Sequence, residues 1–423
     1  MKRFFAIFLA LSLFCGLIGC GRDAEVTETP AAEATPQPMA EAKAADAAAE
    51  GSVSIYAAEG REGWSALAEL YAERSGIRVS LSESMDGATL LCVDYESMVS
   101  LAERAMALDE TAAASRLSVA SYAYRNSEGS ILGLPLELAS VGIAVNTELL
   151  EKAGYSMDTL DGFKAIRRFS TSVNDRKEEL GFSGWAPMAL AEEGFDKLSL
   201  YLLDQPIYAE LQESGSFTGK YVGDYRDSHY KDLFTVMLDF GTKTGKDVNT
   251  VTTDEALSVF AEGSTLFCLI DSRELDTLSA KGMDLSKLDY IPAWMFLPRD
   301  DEQGFVTDAT LYAAICAADT AGQHAAEDFL YWCLSDSEAV AILSGMYEGL
   351  PYEGFSCANP MLAKNAAYDA AGRSAVPWLH RQVPDLSAWN GKFLTEIHII
   401  TPDNVVWRWQ VMVWALVDIW NGK

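Results

Sequence analysis

From Val53 onward, short β-branched runs alternate with segments whose apolar positions recur every three to four residues. Val53–Ala57 alternates apolar and polar side chains, as a strand does. The next stretch turns into a segment expected to be helical over 63–75, with Trp64, Leu67, Leu70 and Tyr71 on one face and Gly76 as its stop. Residues 77–81 and 89–93 read as a second and a third strand, and 98–107 as the following helix. This alternation commits the chain to an α/β sheet. Ligands of such sheets sit outside the C-terminal strand ends. Glu59 and Arg61 follow the first strand, and Asp94 and Tyr95 the third, so all four are candidate ligand contacts. The competing roles are a surface ion pair for Glu59 and Arg61 and helix N-capping for Asp94.

The start of the chain has another character. Lys2 and Arg3 precede an apolar run over 4–18, too short to span a membrane with these flanks. The run ends in Leu17-Ile18-Gly19-Cys20, which resembles a bacterial lipoprotein signal. That resemblance implies removal of residues 1–19 and lipid on the Cys20 sulfur; an ordinary secretory signal is the competing reading. Residues 20–51 are rich in Ala, Glu, Thr and Pro and nearly free of bulky apolar side chains. Such a segment cannot offset its ordering entropy, so it is expected to be a flexible tether.

The chain of 423 residues carries 32 Lys+Arg against 62 Asp+Glu, a formal net charge of −30. Residues 1–19 hold two basic residues and no acid, so the processed chain carries −32. The tether accounts for −5 of this, which leaves −27 on the folded body. Such a surface argues against nucleic acid and against adsorption to anionic lipid. With 49% hydrophobic residues the body can bury a large core. Beyond Cys15 and Cys20, five widely spaced cysteines remain (Cys92, Cys268, Cys316, Cys333 and Cys357), with no CxxC pair. That is no disulfide framework; most read as buried small hydrophobes, with a single bridge, Cys316–Cys333 or another, left open.

Several blocks, taken together, resemble the family 1 extracellular solute-binding proteins. Val145-Asn146-Thr147-Glu148-Leu149-Leu150-Glu151-Lys152-Ala153-Gly154 matches most of the family's Y-N-K-D-L-F-E-K-A-G pattern, where a run over 131–137 has led to a second over 141–146. Asp254–Phe267 resembles its E-A-x-x-x-F-x-x-G helix and strand, residues 290–298 its second crossing, and Ala325–Leu334 its A-A-x-x-F-L-x-x-L block. The resemblance implies a periplasmic-binding-protein-like α/β fold of type II, with two lobes around a ligand cleft. Lobe 1 is expected over 52–136 and 298–346, and lobe 2 over 137–297 and 347–423. It further implies a monomer on the outer face of the cytoplasmic membrane that closes by hinge motion on a carbohydrate and delivers it to an ABC permease. In a sugar-binding relative, an acid at the place of Glu137 contacts sugar, which makes Glu137 the foremost polar candidate here.

No catalytic signature accompanies these blocks: GxSxG, HExxH, GxxxxGK[ST] and GxGxxG are all missing. The four histidines stand apart, so no metal site is expected, nor a cofactor, nor enzymatic activity. Flat side chains stack on the C–H faces of sugar rings while carboxylates and guanidinium groups bind their hydroxyls. Trp185 in a loop, Trp294 at the second crossing, and Trp378 and Trp389 near the third are candidates for stacking, with core packing as the competing role. Asp271 and Ser272 at a strand end, and Tyr347 at the third crossing, are further candidates. Trp64 and the C-terminal Trp407, Trp409, Trp414 and Trp420 are expected in the core. The competing functions are a receptor for a polyol, peptide or polyamine, a glycan-degrading enzyme built on two carboxylates, and a tethered adhesin.

Overall fold

Two long strands organise the sheet: β5 (Ile131–Asn146) and β8 (Gln303–Ile315). Both belong to a computed structural model that describes residues 51–191, 204–205, 207–218, 240–243, 250–292, 303–317, 319–383, 385–397, 399 and 405–422. The signal, Cys20, the tether to residue 50 and Trp294 lie outside the described residues.

Near one end, β5 and β8 pair antiparallel, from Leu134 opposite Ala313 to Val141 opposite Val306. The first lobe's sheet grows from this pair. β3 (Leu90–Asp94) joins β8 antiparallel; β1 (Val53–Ala57) joins β3 parallel, and β2 (Val79–Leu81) joins β1 parallel. β4 (Tyr124–Arg125) closes the far side of β5. The helix Arg61–Ser75 connects β1 to β2 and buries Trp64, Leu67 and Tyr71, the face its spacing predicts; Gly76 ends it in a left-handed turn at φ 74°. The next helix, Tyr95–Leu101, starts three residues earlier than expected because the Asp94 carboxylate accepts from the Ser97 N–H and so caps it.

In the second lobe, β6 (Phe267–Asp271) and β7 (Leu288–Ile291) flank the C-terminal half of β5, and β9 (Ser374–Val376) joins β8 parallel. Gly142 sits where β8 gives way to β7 along β5. A Cβ there would stand 2.7 Å from the Phe305 ring and 2.8 Å from the Ile291 carbonyl oxygen, so only glycine lets the three backbones meet.

Packing shows where the chain changes lobes. Leu138 belongs to a cluster with Leu91, Met98 and Tyr312, whereas Ala139 packs with Ile143, Phe169 and Phe267. On β8 the change falls between Val306 and Ala309. The expected breaks lay at 136/137, 297/298 and 346/347. Near the third, Tyr347, Leu350 and Tyr352 pack with Val53, Trp64 and Phe329; the second lies outside the described residues.

The structure decides one open alternative and corrects one expectation. All five described cysteines are free, so the Cys316–Cys333 bridge does not form. Trp407 and Trp414, one heptad apart on the helix Val405–Trp420, are 53% and 60% exposed, on the face opposite the fully buried Leu416. The helix is apolar nearly all round, so periodicity could not tell its inner face from its outer one.

Candidate functional site

The site starts from an irregularity in β5. The strand's pairing with β8 shifts register on both sides of Glu137, and such a bulge re-aims the side chain at the extra residue. Glu137 is the one position of sixteen in β5 that is not fully buried. Its Oε2 accepts a 2.5 Å hydrogen bond from Thr310 Oγ1 on the neighbouring strand. Burial pushes its carboxyl above the usual glutamate range; the negative charges of Glu59 and Glu348 add to the rise, while the Thr310 bond and Arg273 oppose it.

The first lobe contributes four more groups. Glu59 follows β1, and its carbonyl accepts from the Tyr347 hydroxyl at 3.2 Å. That hydroxyl in turn accepts from Trp64 Nε1 at 2.7 Å, so Tyr347 is fixed between the first helix and the Glu59 loop. Tyr95 follows β3 and begins an aromatic row with Tyr124 and Tyr312, at centroid separations of 5.6 and 5.9 Å. Glu348 accepts from Asn359 Nδ2 at 2.6 Å.

The second lobe contributes cations and an indole. Asp271, at the end of β6, caps the following turn and grips Arg273 through Nε at 3.0 Å and Nη2 at 2.7 Å. The Arg273 guanidinium lies 5.8 Å from the Trp378 ring centroid. Arg381 lies closer to the same ring, at 4.2 Å, and 4.9 Å from Tyr95 of the first lobe. Its Nη1 donates to the Ala309 carbonyl at 3.0 Å and stands 3.9 Å from Asp308. Asp308 also accepts from the Trp378 N–H at 3.0 Å; burial raises its carboxyl and Arg381 pulls it back down. The buried Trp378 Nε1 has no hydrogen-bond partner among the described residues.

Glu59, Tyr95, Glu137, Asp271, Tyr347 and Trp378 therefore gather at the lobe crossing. Ser272 is buried there and has a framework role, its Oγ accepting from the Ser140 N–H at 3.0 Å. The other candidates lie elsewhere. Arg61 is half-buried, bonded to the Ser82 carbonyl and paired with Glu83. Asp94 is occupied as a cap. Trp185 is buried in the second lobe, its Nε1 donating to Ser170 Oγ at 2.9 Å and its ring 4.6 Å from Phe267, so its loop packs inward. Trp389 is 1% exposed in the same core. Sequence reasoning passed over Arg273, Arg381, Asp308, Thr310, Glu348 and Asn359. A usable signal existed for Arg381, which follows Trp378 by three residues, the spacing that brings side chains together on a helical turn.

Chemically, the site offers carboxylate acceptors, guanidinium donors and aromatic faces from two lobes, the set that binds a polar organic solute. Among the described residues no group of His, Cys, Asp and Glu is arranged to hold a metal ion.

A family model described as bacterial extracellular solute-binding protein matches residues 79–367. No curated protein matches the sequence. Among solved structures, apo RafE from Streptococcus pneumoniae superposes with a TM-score of 0.66 at 11% identity, over 86% of this chain and 97% of that one. A family 1 extracellular solute-binding protein from Bifidobacterium longum subsp. infantis gives 0.64 at 14%, over 88% and 100%. The binding protein MsmE from Bacillus subtilis, in an open conformation, gives 0.62 at 16%, over 87% and 98%. At these identities the likeness speaks to the two-lobed fold.

Proposed function

The chain belongs to the bacterial extracellular solute-binding proteins, and from that premise we propose that it is the lipid-anchored receptor of an ABC importer for a sugar or oligosaccharide. Processing at Cys20 would tether it to the outer face of the cytoplasmic membrane, and residues 20–51 would let the body reach a permease. The solute binds between the lobes and undergoes no chemistry. One observation carries the reading: Glu59, Tyr95 and Glu137 from one side meet Arg273, Trp378 and Arg381 from the other. A solute bonded to both sets contributes free energy to the closed form that it cannot contribute to the open one, and closure needs that difference.

The mixture of acceptors and donors suits hydroxyls, which do both. Trp378 already carries Arg381 against its ring, so this indole orients guanidinium donors as well as offering a face. RafE has also been solved with raffinose bound, which agrees with the sugar reading without establishing it.

A second reading has its own support. Glu59 and Glu348 both raise the Glu137 carboxyl, and a solute carrying an ammonium group would relieve that repulsion. Calorimetric titration of the purified chain with raffinose, maltose, galactose and spermidine separates the two. Saturable heat with a neutral sugar, and recovery of that sugar intact, supports the proposal. Heat with spermidine alone favours the amine reading, and any cleaved sugar overturns the binding role.

A further inference from the structure

The third crossing holds a side chain whose bonds reach both lobes. Asn359 is 4% exposed and stands at the N-terminus of the helix Pro360–Ala370. Its Oδ1 accepts from the N–H groups of Met361 at 3.1 Å and Leu362 at 3.2 Å, which caps the helix. Its Nδ2 donates in two directions, to Glu348 Oε2 at 2.6 Å and to the Ser272 carbonyl at 2.9 Å. The amide orientation is fixed by these partners. Turned over, it would set an oxygen against a carboxylate and a carbonyl, and an NH₂ against two N–H donors.

The two acceptors belong to different lobes. Glu348 adjoins Tyr347 in the first lobe's core, and its carbonyl accepts from the Leu138 N–H at 3.1 Å, where β5 changes lobes. Ser272 lies between Ile270 and Leu275 of a second-lobe cluster. From Ser272 the chain of bonds continues. Its Oγ accepts from the Ser140 N–H, and Ser140 Oγ meets Thr307 Oγ1 on β8 at 2.6 Å. One run of hydrogen bonds thus joins β5, β8 and the third crossing at the level where all three pass between lobes. Gly349 permits the close approach: its φ is +68°, and a Cβ there would stand 2.8 Å from Leu362 and 3.2 Å from Leu138.

We infer that Asn359 is the positioning residue of the hinge, holding Glu348 beside Glu137 while tying the first lobe to the second through Ser272. Its closest substitutes lose one of these roles. Serine caps without the two-way donor, and aspartate caps but faces both acceptors with an oxygen. The role of Glu348 toward a solute rests on the receptor reading; the mechanical role does not, and it is read in the free protein.

N359D separates hinge from cap. It keeps the Oδ1 acceptor, so the helix Pro360–Ala370 should retain its amide protection. It repels Glu348 and the Ser272 carbonyl, so hydrogen exchange should quicken at least about tenfold at Leu138, Ser140 and the 306–309 stretch of the unliganded full chain. The double variant N359D/E348Q sets an amide donor opposite the new carboxylate. It should recover protection at Leu138 but not at Ser140. Should N359D not fold, E348A serves: it removes the first-lobe acceptor alone and should quicken Leu138 while sparing Ser140. Crossing amides that exchange at the wild-type rate in these variants overturn the inference. So does a change confined to the helix Pro360–Ala370, which would show a cap and nothing more.

Discussion

Glu137 owes its environment to one irregular residue in an otherwise buried strand. Because burial raises its carboxyl, the folded protein holds that proton more tightly than the unfolded chain does. The stability that protonation lends is fully present below the ordinary glutamate range and is lost as pH rises through the folded value. Unfolding in urea across that acid window should therefore show a shallower loss of stability with rising pH for E137Q than for the wild type. Equal slopes would contradict the assignment. Trp185 offers a test away from the site. Its indole is buried against Phe267 with its N–H satisfied by Ser170, so W185A should lower stability by about 3–5 kcal/mol, visible as a lower melting temperature. Glu137 was a candidate because it stands at the first crossing, where a sugar-binding relative has an acid; the bulge that re-aims it leaves no local signal in the sequence. The inward packing of Trp185 was not legible, since a loop tryptophan that packs inward and one that faces solvent share a sequence. Arg381 escaped notice because its place depends on Asp308, a partner that only folding brings near; Arg273 has Asp271 two residues away, but its place beside Trp378 is set by the fold.

Among the helices and strands, local chemistry carried most of the pattern. β1, the helix Arg61–Ser75 and its Gly76 stop follow from alternation, helical spacing and a left-handed turn. β5 shows the limit. Its sequence reads as a run over 131–137 leading to a second over 141–146, yet it forms one strand of sixteen residues. Pro135 sits at the start of the register shift, and its carbonyl accepts from the Tyr352 hydroxyl at 2.7 Å. Tertiary pairing with β8 outweighs the proline's preference for an edge. The junction at Gly142 gives a direct test. The Ile291 carbonyl cannot turn away without breaking the β5–β7 ladder, so G142A should cost about 1–3 kcal/mol in denaturant unfolding. A variant as stable as the wild type would show that the three backbones have room to spare.

For the molecule as a whole, the ordered blocks pointed to two lobes, and the family match and the fold agree with them. The candidate site at the lobe crossing was only partly legible. Strand ends located Glu59 and Tyr95, but no local pattern says which lobe a crossing segment packs against, and Tyr347 shows it. The acidity of the body, −27 without signal and tether, bears on polyanionic partners; within the site Arg273 and Arg381 offset Asp271 and Asp308, while Glu59, Glu137 and Glu348 have no arginine bonded to them among the described residues. A receptor of this design must hold its solute with both lobes at once. Small-angle X-ray scattering of the purified chain, with and without a saturating sugar identified by titration, reads that directly. The saturated wild type should show a smaller radius of gyration than the free protein, and E137A should show no contraction at the same sugar concentration. A saturated wild type whose scattering matches that of the free protein would contradict capture between the lobes.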